Sequence, residues 1–448
     1  MMEKNSQPLT RLRRVNKRRR KQGNRLVVPL IILGIAFLFM IWTMVSFLTL
    51  SSPTVSNNGR NNNNVQGVPQ AAVDKQQQQS RRQKPAAPTE ELKPFESPLL
   101  IFTCSRAGYL TETLNTIFQY IEPNCKMGCP IVVTQDRNAE DVTAVIQQFK
   151  TKFEGKGIPF YHINHPASPN LRGNPYQLLA VHYGWALRTL FDGQAYTQQP
   201  LPQRVIILEE DLRIAPDFFG YFEATAPLLD ADPHLLAVSA FNDNGYQNQA
   251  VDTKRLLRSD FFPGLGWMMT RQTWTQDIGA KWPNGYWDDW LREPAQRQGR
   301  HIIRPEVTRT FHFGDKGGAS QNQFGGNHHR IELNHEKVDW TQQDLSYLVE
   351  DTFDRNYANM VANARLATSR AEALEICQQG ANARLEYSGI PGFARAAKRL
   401  NLMTDEKATI FRTAYKGVVE TRPDGKTLLF LTPPLDQLKA NFGSSWPS

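Results

Sequence analysis

Three consecutive carboxylates follow a short apolar run near the middle of the chain. Glu209, Glu210 and Asp211 come directly after residues 205–208, VIIL. Three adjacent negative charges repel one another unless a cation neutralises them, and a divalent metal ion with oxygen ligands does so in many proteins. A solvated acidic turn at the end of a strand explains the same pattern. The spacing therefore predicts either a metal site or an exposed turn.

A second group of chemically capable side chains lies in residues 282–290, WPNGYWDDW. Large aromatic rings around two adjacent carboxylates form a surface that can stack against a sugar ring. Asp288 in this segment can accept a hydroxyl proton as a general base. The alternative is a core aromatic cluster with an aspartate at the start of a helix.

Three weaker features accompany these two segments. In residues 261–267, FFPGLGW, two glycines flank one leucine, which allows either close approach of the backbone to a ligand or a buried tight turn. His182 lies in an amphipathic run and is by itself typical of a structural histidine. Arg106 follows the first predicted strand, where a Rossmann-like site contacts a phosphate or a base.

The elements that must position these residues alternate between strands and helices. Strands are predicted at residues 99–103, 131–134, 159–163 and 205–208, and helices at 108–120, 140–149 and 176–191. This alternation predicts an α/β fold with a mostly parallel sheet covered by helices on both faces. Ligands of such sheets bind at the carboxyl ends of the strands. The chain lacks the Walker, strand-linked GxGxxG, GxSxG and HExxH motifs, which argues against kinases, dehydrogenases, esterases and zincins.

The last hundred residues have a different pattern. Helices are predicted at residues 357–378 and 393–401, followed by a strand, a turn at 422–425 and a second strand at 427–431. The Asp-Gly step in that turn is a hairpin signal. We therefore expect a catalytic domain at residues 98–348 and a smaller α+β subdomain at 349–448.

The net charge of +9 is concentrated at the amino terminus. Residues 1–25 contain ten Lys or Arg and one Glu, so the remainder of the chain is neutral. Nucleic-acid binding needs a concentrated positive surface, so the folded part is not expected to bind nucleic acid. Residues 1–25 are predicted to form a basic cytosolic tail.

Residues 26–50 form an uncharged apolar run. As a helix they reach roughly 37 Å, more than the ~30 Å hydrocarbon core of a bilayer. No small-residue cleavage site follows, which favours an uncleaved signal anchor over a signal peptide. The basic flank predicts a single-pass type II orientation with the rest of the chain lumenal. Residues 51–97 are predicted to be a flexible stem, because they are rich in Asn and Gln.

Five segments together resemble the N-acetylglucosaminyltransferase I family, and the match covers about residues 98–434. They are RVIILEEDLRIAPDFFGYF at 204–222, FNDNG at 241–245, RSDFFPGLGWM at 258–268, KWPNGYWDDWL at 281–291 and RPEVTRTFHFG at 304–314. Several long motifs in the same order are far more specific than any one of them.

The resemblance implies a GT-A fold, in which a Rossmann-like donor half is joined to an acceptor half. It implies an inverting transfer of GlcNAc from UDP-GlcNAc, with Mn²⁺ as cofactor. The expected product is a β1,2 linkage to the α1,3-mannose of a high-mannose (five-mannose) N-glycan on glycoproteins, which starts hybrid and complex N-glycans. It also implies a Golgi membrane location with a lumenal catalytic domain.

The resemblance also implies roles for individual residues. Asp211 matches the metal ligand and Asp288 the catalytic base. The donor-binding positions fall on Arg106, Asp136, His182, Glu209, Glu210, Ala319 and Ser320. Arg106, Asp136 and His182 match the positions that hold the uridine end, and Ser320 matches a loop over the diphosphate. Glu210 stands where the family usually has Asp, which puts donor affinity in question.

Two other functions fit the same sequence. One is a β1,2-GlcNAc transferase that acts on O-linked mannose, and the other is a non-catalytic lumenal lectin or scaffold. The joint presence of Asp211 and Asp288 favours an enzyme, because a binding module needs no base beside a metal. The pairing of the four cysteines (Cys104, Cys125, Cys129 and Cys377) stays open. In animal members the position of Arg137 is a cysteine that partners Cys104.

Overall fold

A computed structural model describes residues 97–448, except 124, 126, 167–173, 197–200, 317 and 319–327. These residues belong to one compact unit, Lys84–Ser448. The predicted tail, anchor and nearly all of the stem lie outside the described residues, as do Ala319 and Ser320. Within the described part, no helix has the length and apolar character needed to cross a bilayer.

Sixteen strands and ten α-helices make up the described part of the chain. The strands are β1 Pro98–Thr103, β2 Gly128–Asp136, β3 Phe160–His165, β4 Arg204–Glu209, β5 Leu212–Ile214, β6 Leu235–Ser239, β7 Leu256–Ser259, β8 Trp267–Thr270, β9 His301–Pro305, β10 Thr310–His312, β11 Arg365–Ala367, β12 Ala383–Glu386, β13 Glu406–Lys407, β14 Ile410–Phe411, β15 Val419–Thr421 and β16 Leu429–Thr432. The helices are α1 Ala107–Tyr120, α2 Glu140–Gly155, α3 Pro175–Phe191, α4 Phe218–Ala231, α5 Trp287–Arg292, α6 Pro294–Arg297, α7 Glu350–Asn363, α8 Arg370–Gln378, α9 Gly389–Arg399 and α10 Leu435–Phe442.

Eight strands form the main sheet, in the order β3-β2-β1-β4-β8-β6-β9-β7. The first four are parallel, whereas β8 is antiparallel to both β4 and β6, and β7 is antiparallel to β9. The predicted α/β class and mostly parallel order are confirmed for β1 to β4. The antiparallel strands were not predicted. Between β6 and β8 the described chain contains no α-helix that could serve as a parallel crossover, and these two strands pair antiparallel.

The central strands are buried on both faces because helices cover both sides of the sheet. In β4, Ile206 and Leu208 face the core formed with α1, α2 and α4, while Val205 and Ile207 face the core formed with α3. All four side chains are fully buried. Each contributes roughly 1.5–3 kcal/mol through burial. The strand is therefore held firmly, and the carboxylates that follow it have a fixed place.

The C-terminal part contains a four-stranded sheet in the order β11-β12-β16-β15 with its own hydrophobic core. The predicted hairpin is confirmed, since β15 and β16 pair antiparallel. The predicted continuous helix at 357–378 is wrong. The chain leaves α7 at Asn363, β11 pairs with β12, and the Ser369 hydroxyl accepts from the Glu372 amide to cap the start of α8.

The cysteines adopt one pairing. Cys125 and Cys129 form a disulfide, with their Cα atoms 6.1 Å apart. Cys104 is a half-buried free thiol, and Cys377 is a buried one. Cys104, which follows β1, therefore forms no disulfide, unlike the pairing that the resemblance implies for animal members.

Candidate active site

The carboxyl ends of β1, β2 and β4 meet at one edge of the main sheet. Their register pairs Phe102 with Glu209 and Thr103 with Gln135. A cavity of about 640 Å³ opens at this edge. Seven of the nine residues predicted for the site line it, namely Arg106, Asp136, His182, Glu209, Glu210, Asp211 and Asp288. The structure therefore brings the acidic triplet and the distant Asp288 into one cavity.

Asp211 is enclosed as tightly as Glu210, with 3% of its surface exposed. Its Oδ2 atom lies 2.9 Å from Arg106 Nη2 and 3.4 Å from His312 Nε2. Burial by itself would raise the pKa of Asp211, but His312 and Arg106 hold that pKa below its usual value. Its other oxygen, Oδ1, is buried and has no hydrogen-bond partner among the described residues.

Glu209 and Glu210 have different surroundings. The Tyr183 hydroxyl donates to Glu209 at 2.8 Å, and burial together with the charge of Asp211 raises the pKa of Glu209 to about 7. Glu210 is buried and accepts from the Cys104 amide at 3.1 Å and from Arg106 Nε at 2.6 Å. Burial raises the pKa of Glu210 as well, against the influence of Arg106. The alternative of a solvated acidic turn is wrong, because these side chains are enclosed.

Arg106 contributes positive charge to the same corner. Its guanidinium contacts Glu210 and Asp211, and these carboxylates raise its pKa even though burial opposes the charged form. The side chain also stacks over the ring of Tyr109 at 5.0 Å. Arg106 thus stays charged and lies on the acidic triplet in this structure.

His182 and Asp136 form a second polar patch in the cavity. His182 is 2% exposed, its Nε2 lies 2.7 Å from the Thr134 hydroxyl, and burial lowers its pKa to about 3. Asp136 accepts from His165 Nδ1 at 2.9 Å. Burial would raise the pKa of Asp136, but His165 and His182 hold it below its usual value. A neutral imidazole beside a carboxylate can bind the polar edge of a base or the hydroxyls of a sugar.

Asp288 lies in the first turn of the short helix α5. Its Oδ2 atom accepts from Arg292 Nη1 at 2.9 Å, and about a third of its side chain is exposed. Trp287 is buried and stacks on Tyr183, whereas Tyr286 is 48% exposed. The core interpretation of the aromatic segment therefore holds for Trp287, whereas Tyr286 lines the cavity and its stacking against a sugar stays a prediction.

The glycine-containing loop between β7 and β8 is a tight turn that also lines the cavity. Gly264, Leu265 and Gly266 all have positive φ, at 70°, 51° and 94°. A Cβ atom on Gly266 would lie 2.6 Å from Thr310 Cγ2 in β10. A side chain there would push β10 away, so the close approach requires glycine.

Several residues at the site carried no predicted role, and four of them hold its charged groups in place. Arg292 bridges Asp288 and Asp289, and Lys407 reaches Asp289 with its Nζ at 3.0 Å. Arg412 pairs with Asp243 and with Asp405. Arg412 and Asp243 line the cavity, whereas Asp405 does not. The helical spacing of Asp288 and Arg292 was a usable signal for one of them. Tyr183 is the fourth, and nothing local to its sequence points to Glu209.

A divalent cation fits Asp211, although the protein supplies few ligands. Among the described residues no group of three or more His, Cys, Asp or Glu side chains is arranged to hold a metal. The buried Oδ1 of Asp211 nevertheless has no hydrogen-bond partner in that part of the chain. A Cβ atom on Gly314 would lie 2.3 Å from Asp211 Oδ2, so glycine keeps that side open. An anionic, buried oxygen of this kind suits a hard cation whose other ligands come from a substrate and water.

Comparison with known proteins decides the family. The sequence matches the model of the GNT-I family over residues 49–446. The chain belongs to the GNT-I family. It is also 37% identical, over 336 residues, to the alpha-1,3-mannosyl-glycoprotein 2-beta-N-acetylglucosaminyltransferase of Arabidopsis thaliana, and this match covers 75% of the chain and 73% of the relative. The resemblance read from the five motifs is confirmed.

Two solved glycosyltransferase structures resemble the chain weakly. The mannosyltransferase PcManGT from Pyrobaculum calidifontis, in complex with GDP-Man and Mn²⁺, gives a TM-score of 0.33 at 15% identity, covering 52% of this chain and 61% of that one. TarS of S. aureus gives a TM-score of 0.32 at 12% identity, covering 61% of this chain and 40% of that one. These likenesses are too low to support any statement about the site, so the GNT-I family membership carries the argument.

Proposed function

We propose that this chain transfers GlcNAc from UDP-GlcNAc, in β1,2 linkage, to the α1,3-mannose of a five-mannose N-glycan, the step that starts hybrid and complex N-glycans. Membership of the GNT-I family and the name of the Arabidopsis relative support this donor, acceptor and linkage. The observation that carries the proposal is a single cavity lined by both Asp211 and Asp288. A lectin needs no general base beside a buried metal-binding carboxylate. The described sheet is consistent with a GT-A fold.

The donor occupies the sheet side of the cavity in this proposal. Arg106, Asp136 and His182 are proposed to bind the uridine end, and His182 does so as a neutral imidazole because its pKa is about 3. Glu209 and Glu210 close the pocket behind the diphosphate, with Arg106 balancing their charge. Ala319 and Ser320, which lie outside the described residues, are proposed to cover the diphosphate.

Asp211 is proposed to hold a divalent cation, Mn²⁺. When bound, that ion acts as a Lewis acid and offsets the negative charge that develops on the UDP leaving group. The buried position of Asp211 strengthens the interaction, because water screens charges less there. Arg106, 2.9 Å from the same carboxylate, adds a fixed positive charge.

Asp288 acts as the base in a single displacement. It takes the proton from the mannose 2-hydroxyl as that oxygen attacks the anomeric carbon, while the bond from that carbon to UDP breaks on the opposite face. Inversion follows, and no covalent intermediate is needed. Arg292 orients the carboxylate by holding its Oδ2, and the exposed third of the side chain leaves it accessible to an acceptor.

A transfer assay tests the proposal directly. The full-length chain is incubated with UDP-GlcNAc and a five-mannose N-glycan, with Mn²⁺ or with a chelator. The masses of the products are measured by mass spectrometry. We expect one added GlcNAc with Mn²⁺ and none with chelator. Transfer to an O-mannosyl peptide in preference to the N-glycan would favour the other transferase. No transfer to either acceptor, with UDP binding lost, would favour the scaffold.

We further propose a single-pass type II location in the Golgi membrane. The apolar run at residues 26–50 and the basic residues that precede it support this orientation. Attachment of a glycosylation acceptor at either end of the chain would distinguish the two topologies, since only the lumenal end is glycosylated.

A further inference from the structure

His312 lies beside the proposed metal-binding carboxylate for a reason built into the backbone. Strand β10 pairs antiparallel with β5, and the register places His312 opposite Leu212, the residue after Asp211. The amide of Phe313 donates to the backbone oxygen of Asp211 at 3.1 Å. This short ladder brings His312 Nε2 to 3.4 Å from Asp211 Oδ2. The contact therefore depends on fixed strands and not on a freely moving side chain.

The other nitrogen of the His312 ring contacts a second histidine. His312 Nδ1 lies 3.2 Å from His328 Nδ1. Two imidazole nitrogens at this distance share one proton, so one ring donates and the other accepts. His312 Nε2 donates to Asp211 when it carries the proton; when His312 instead donates through Nδ1, its Nε2 carries a lone pair directed at the carboxylate. Two electron-rich atoms facing each other are stabilised by a cation between them, and metal-bound histidines commonly use their other ring nitrogen in this way.

The separation of the two atoms suits a shared cation. Two ligands bound at right angles to one ion, each at roughly 2.1 Å, lie about 3 Å apart. The observed distance of 3.4 Å is close to that value. Asp211 also keeps its buried Oδ1 without a hydrogen-bond partner among the described residues, so either oxygen can face a cation. Arg106 Nη2 lies 2.9 Å from Oδ2, so cation binding requires that this one contact yield, while Arg106 Nε stays bonded to Glu210 at 2.6 Å.

We propose that His312 is a second protein ligand of the divalent cation held by Asp211, and that His328 fixes the His312 ring in the coordinating tautomer. The presence of a cation rests on the proposed function, but the nitrogen ligand is a separate claim. An imidazole ligand favours Mn²⁺ and later transition metals over Mg²⁺, which prefers oxygen. The site then selects its metal through a residue on β10, outside the acidic triplet.

Pulsed electron paramagnetic resonance tests the proposal without relying on turnover. The full-length chain is loaded with Mn²⁺ and UDP, and electron spin-echo modulation is recorded. We expect modulation from a directly bound ¹⁴N in the native chain and its loss in His312→Asn. The matched control is His335→Asn, since His335 is exposed and remote from the cavity, and the modulation should persist there.

Binding measurements provide a second readout. We expect the Mn²⁺ dissociation constant, measured in the presence of UDP, to rise tenfold or more in His312→Asn, while the constant for Mg²⁺ changes little. In His328→Asn the ¹⁴N modulation should remain while Mn²⁺ affinity falls by roughly tenfold, as for other residues that orient a ligand.

The outcomes separate this inference from the proposed function. A native echo without ¹⁴N modulation, or modulation that survives in His312→Asn, overturns the inference even if GlcNAc transfer succeeds. Modulation that disappears with His312 supports the inference even if the transfer assay fails. Failure of the native chain to bind Mn²⁺ in the presence of UDP overturns both.

Discussion

Asp288 is a carboxylate whose orientation depends on one neighbouring side chain. Arg292 lies one turn later on α5 and donates to Asp288 at 2.9 Å and to Asp289 at 2.7 Å. The same guanidinium donates through Nε to the Phe262 carbonyl and lies over the ring of Phe261. With its side chain only 5% exposed, Arg292 has little freedom. The pair of aspartates is thus aligned before any acceptor arrives.

The first prediction concerns the proposed base. We expect Asp288→Asn to lower kcat at least a thousandfold, because an amide cannot accept the hydroxyl proton. The affinity for UDP with Mn²⁺, measured by calorimetry, should stay within about twofold. Asp192→Asn, at an exposed position at the end of α3, is the control and should retain full turnover. Near-normal turnover in Asp288→Asn would remove Asp288 from the role of base.

The second prediction concerns Glu209, whose pKa is raised to about 7 from 4.5. Below pH 4.5 both the folded and the unfolded chain hold this proton. Between pH 4.5 and 7 only the folded chain keeps it, so the free energy of unfolding of the metal-free protein falls as pH rises. The loss of stability is complete once the pH exceeds the raised pKa of Glu209.

Urea denaturation at pH 5 and at pH 7.5 measures this effect. Glu209→Gln should flatten the dependence on pH, because the amide does not ionise. Glu375→Gln, at an exposed position, serves as control and should leave the pH dependence of the free energy of unfolding unaltered. If the free energy of unfolding of Glu209→Gln fell equally steeply with pH, other groups would be the cause of the pH dependence.

At the level of elements, one aromatic stack joins the two halves of the cavity. The ring of Tyr183 in α3 lies between the rings of Phe102 in β1 and Trp287 at the start of α5. The distances between ring centroids are 3.7 Å to Phe102 and 4.5 Å to Trp287. Its hydroxyl donates to Glu209 at the end of β4. The position of the proposed base is therefore coupled mechanically to the acidic triplet through packed side chains.

The third prediction concerns the loop that leads into β8. Gly266 has a φ of 94°, and a Cβ atom there would lie 2.6 Å from Thr310 in β10. We expect Gly266→Ala to lower the free energy of unfolding by roughly 2–4 kcal/mol through backbone strain and the clash together. Gly299 also has a positive φ, at 75°, but a Cβ atom there would meet open space.

Gly299→Ala is therefore the matched control, and it should cost only about 1 kcal/mol. Urea denaturation of both variants gives the comparison, and we expect most of the difference in their free energies of unfolding to come from the clash. Because β10 carries His312, Gly266→Ala should also weaken Mn²⁺ binding, whereas Gly299→Ala should not. Equal stability losses in the two variants would contradict the role assigned to the close approach.

At the level of the whole molecule, the C-terminal hundred residues complete the cavity. Lys407 and Arg412 reach it from that part of the chain. Lys407 pairs with Asp289, and the Arg412 guanidinium lies over the ring of Phe261, 5.1 Å from its centroid. The acceptor side of the site is thus made of segments more than a hundred residues apart in sequence.

The fourth prediction concerns the amino terminus. Removal of residues 1–83 leaves the compact unit that begins at Lys84 and takes away the basic cluster and the apolar run. We expect the shortened chain to be extracted from membranes by carbonate, whereas the full-length chain stays with them. UDP affinity should be unchanged, since every described residue of the cavity lies beyond position 97. Retention of the shortened chain in the membrane fraction would contradict the anchor at residues 26–50.

The amino-acid sequence by itself determined the α/β class, the positions of β1 to β4 and α1 to α3, and the acidic triplet with Asp288. It did so because apolar periodicity and burial act locally, and because long motifs in order identify the GNT-I family. Boundaries were less accurate, as in α2, which runs to Gly155 and not to residue 149.

Only the tertiary structure decided which side chains meet. The break between α7 and α8 depends on β11 pairing with β12, and the place of His312 depends on β10 pairing with β5. Lys407 comes near Asp289 only after the C-terminal part has packed. Contacts between distant segments are selected by packing and strand register, which no local pattern records. For that reason the sequence predicted the carboxylates of the proposed site together with Arg106 and His182, while the fold alone placed Arg292, Lys407 and His312 around them.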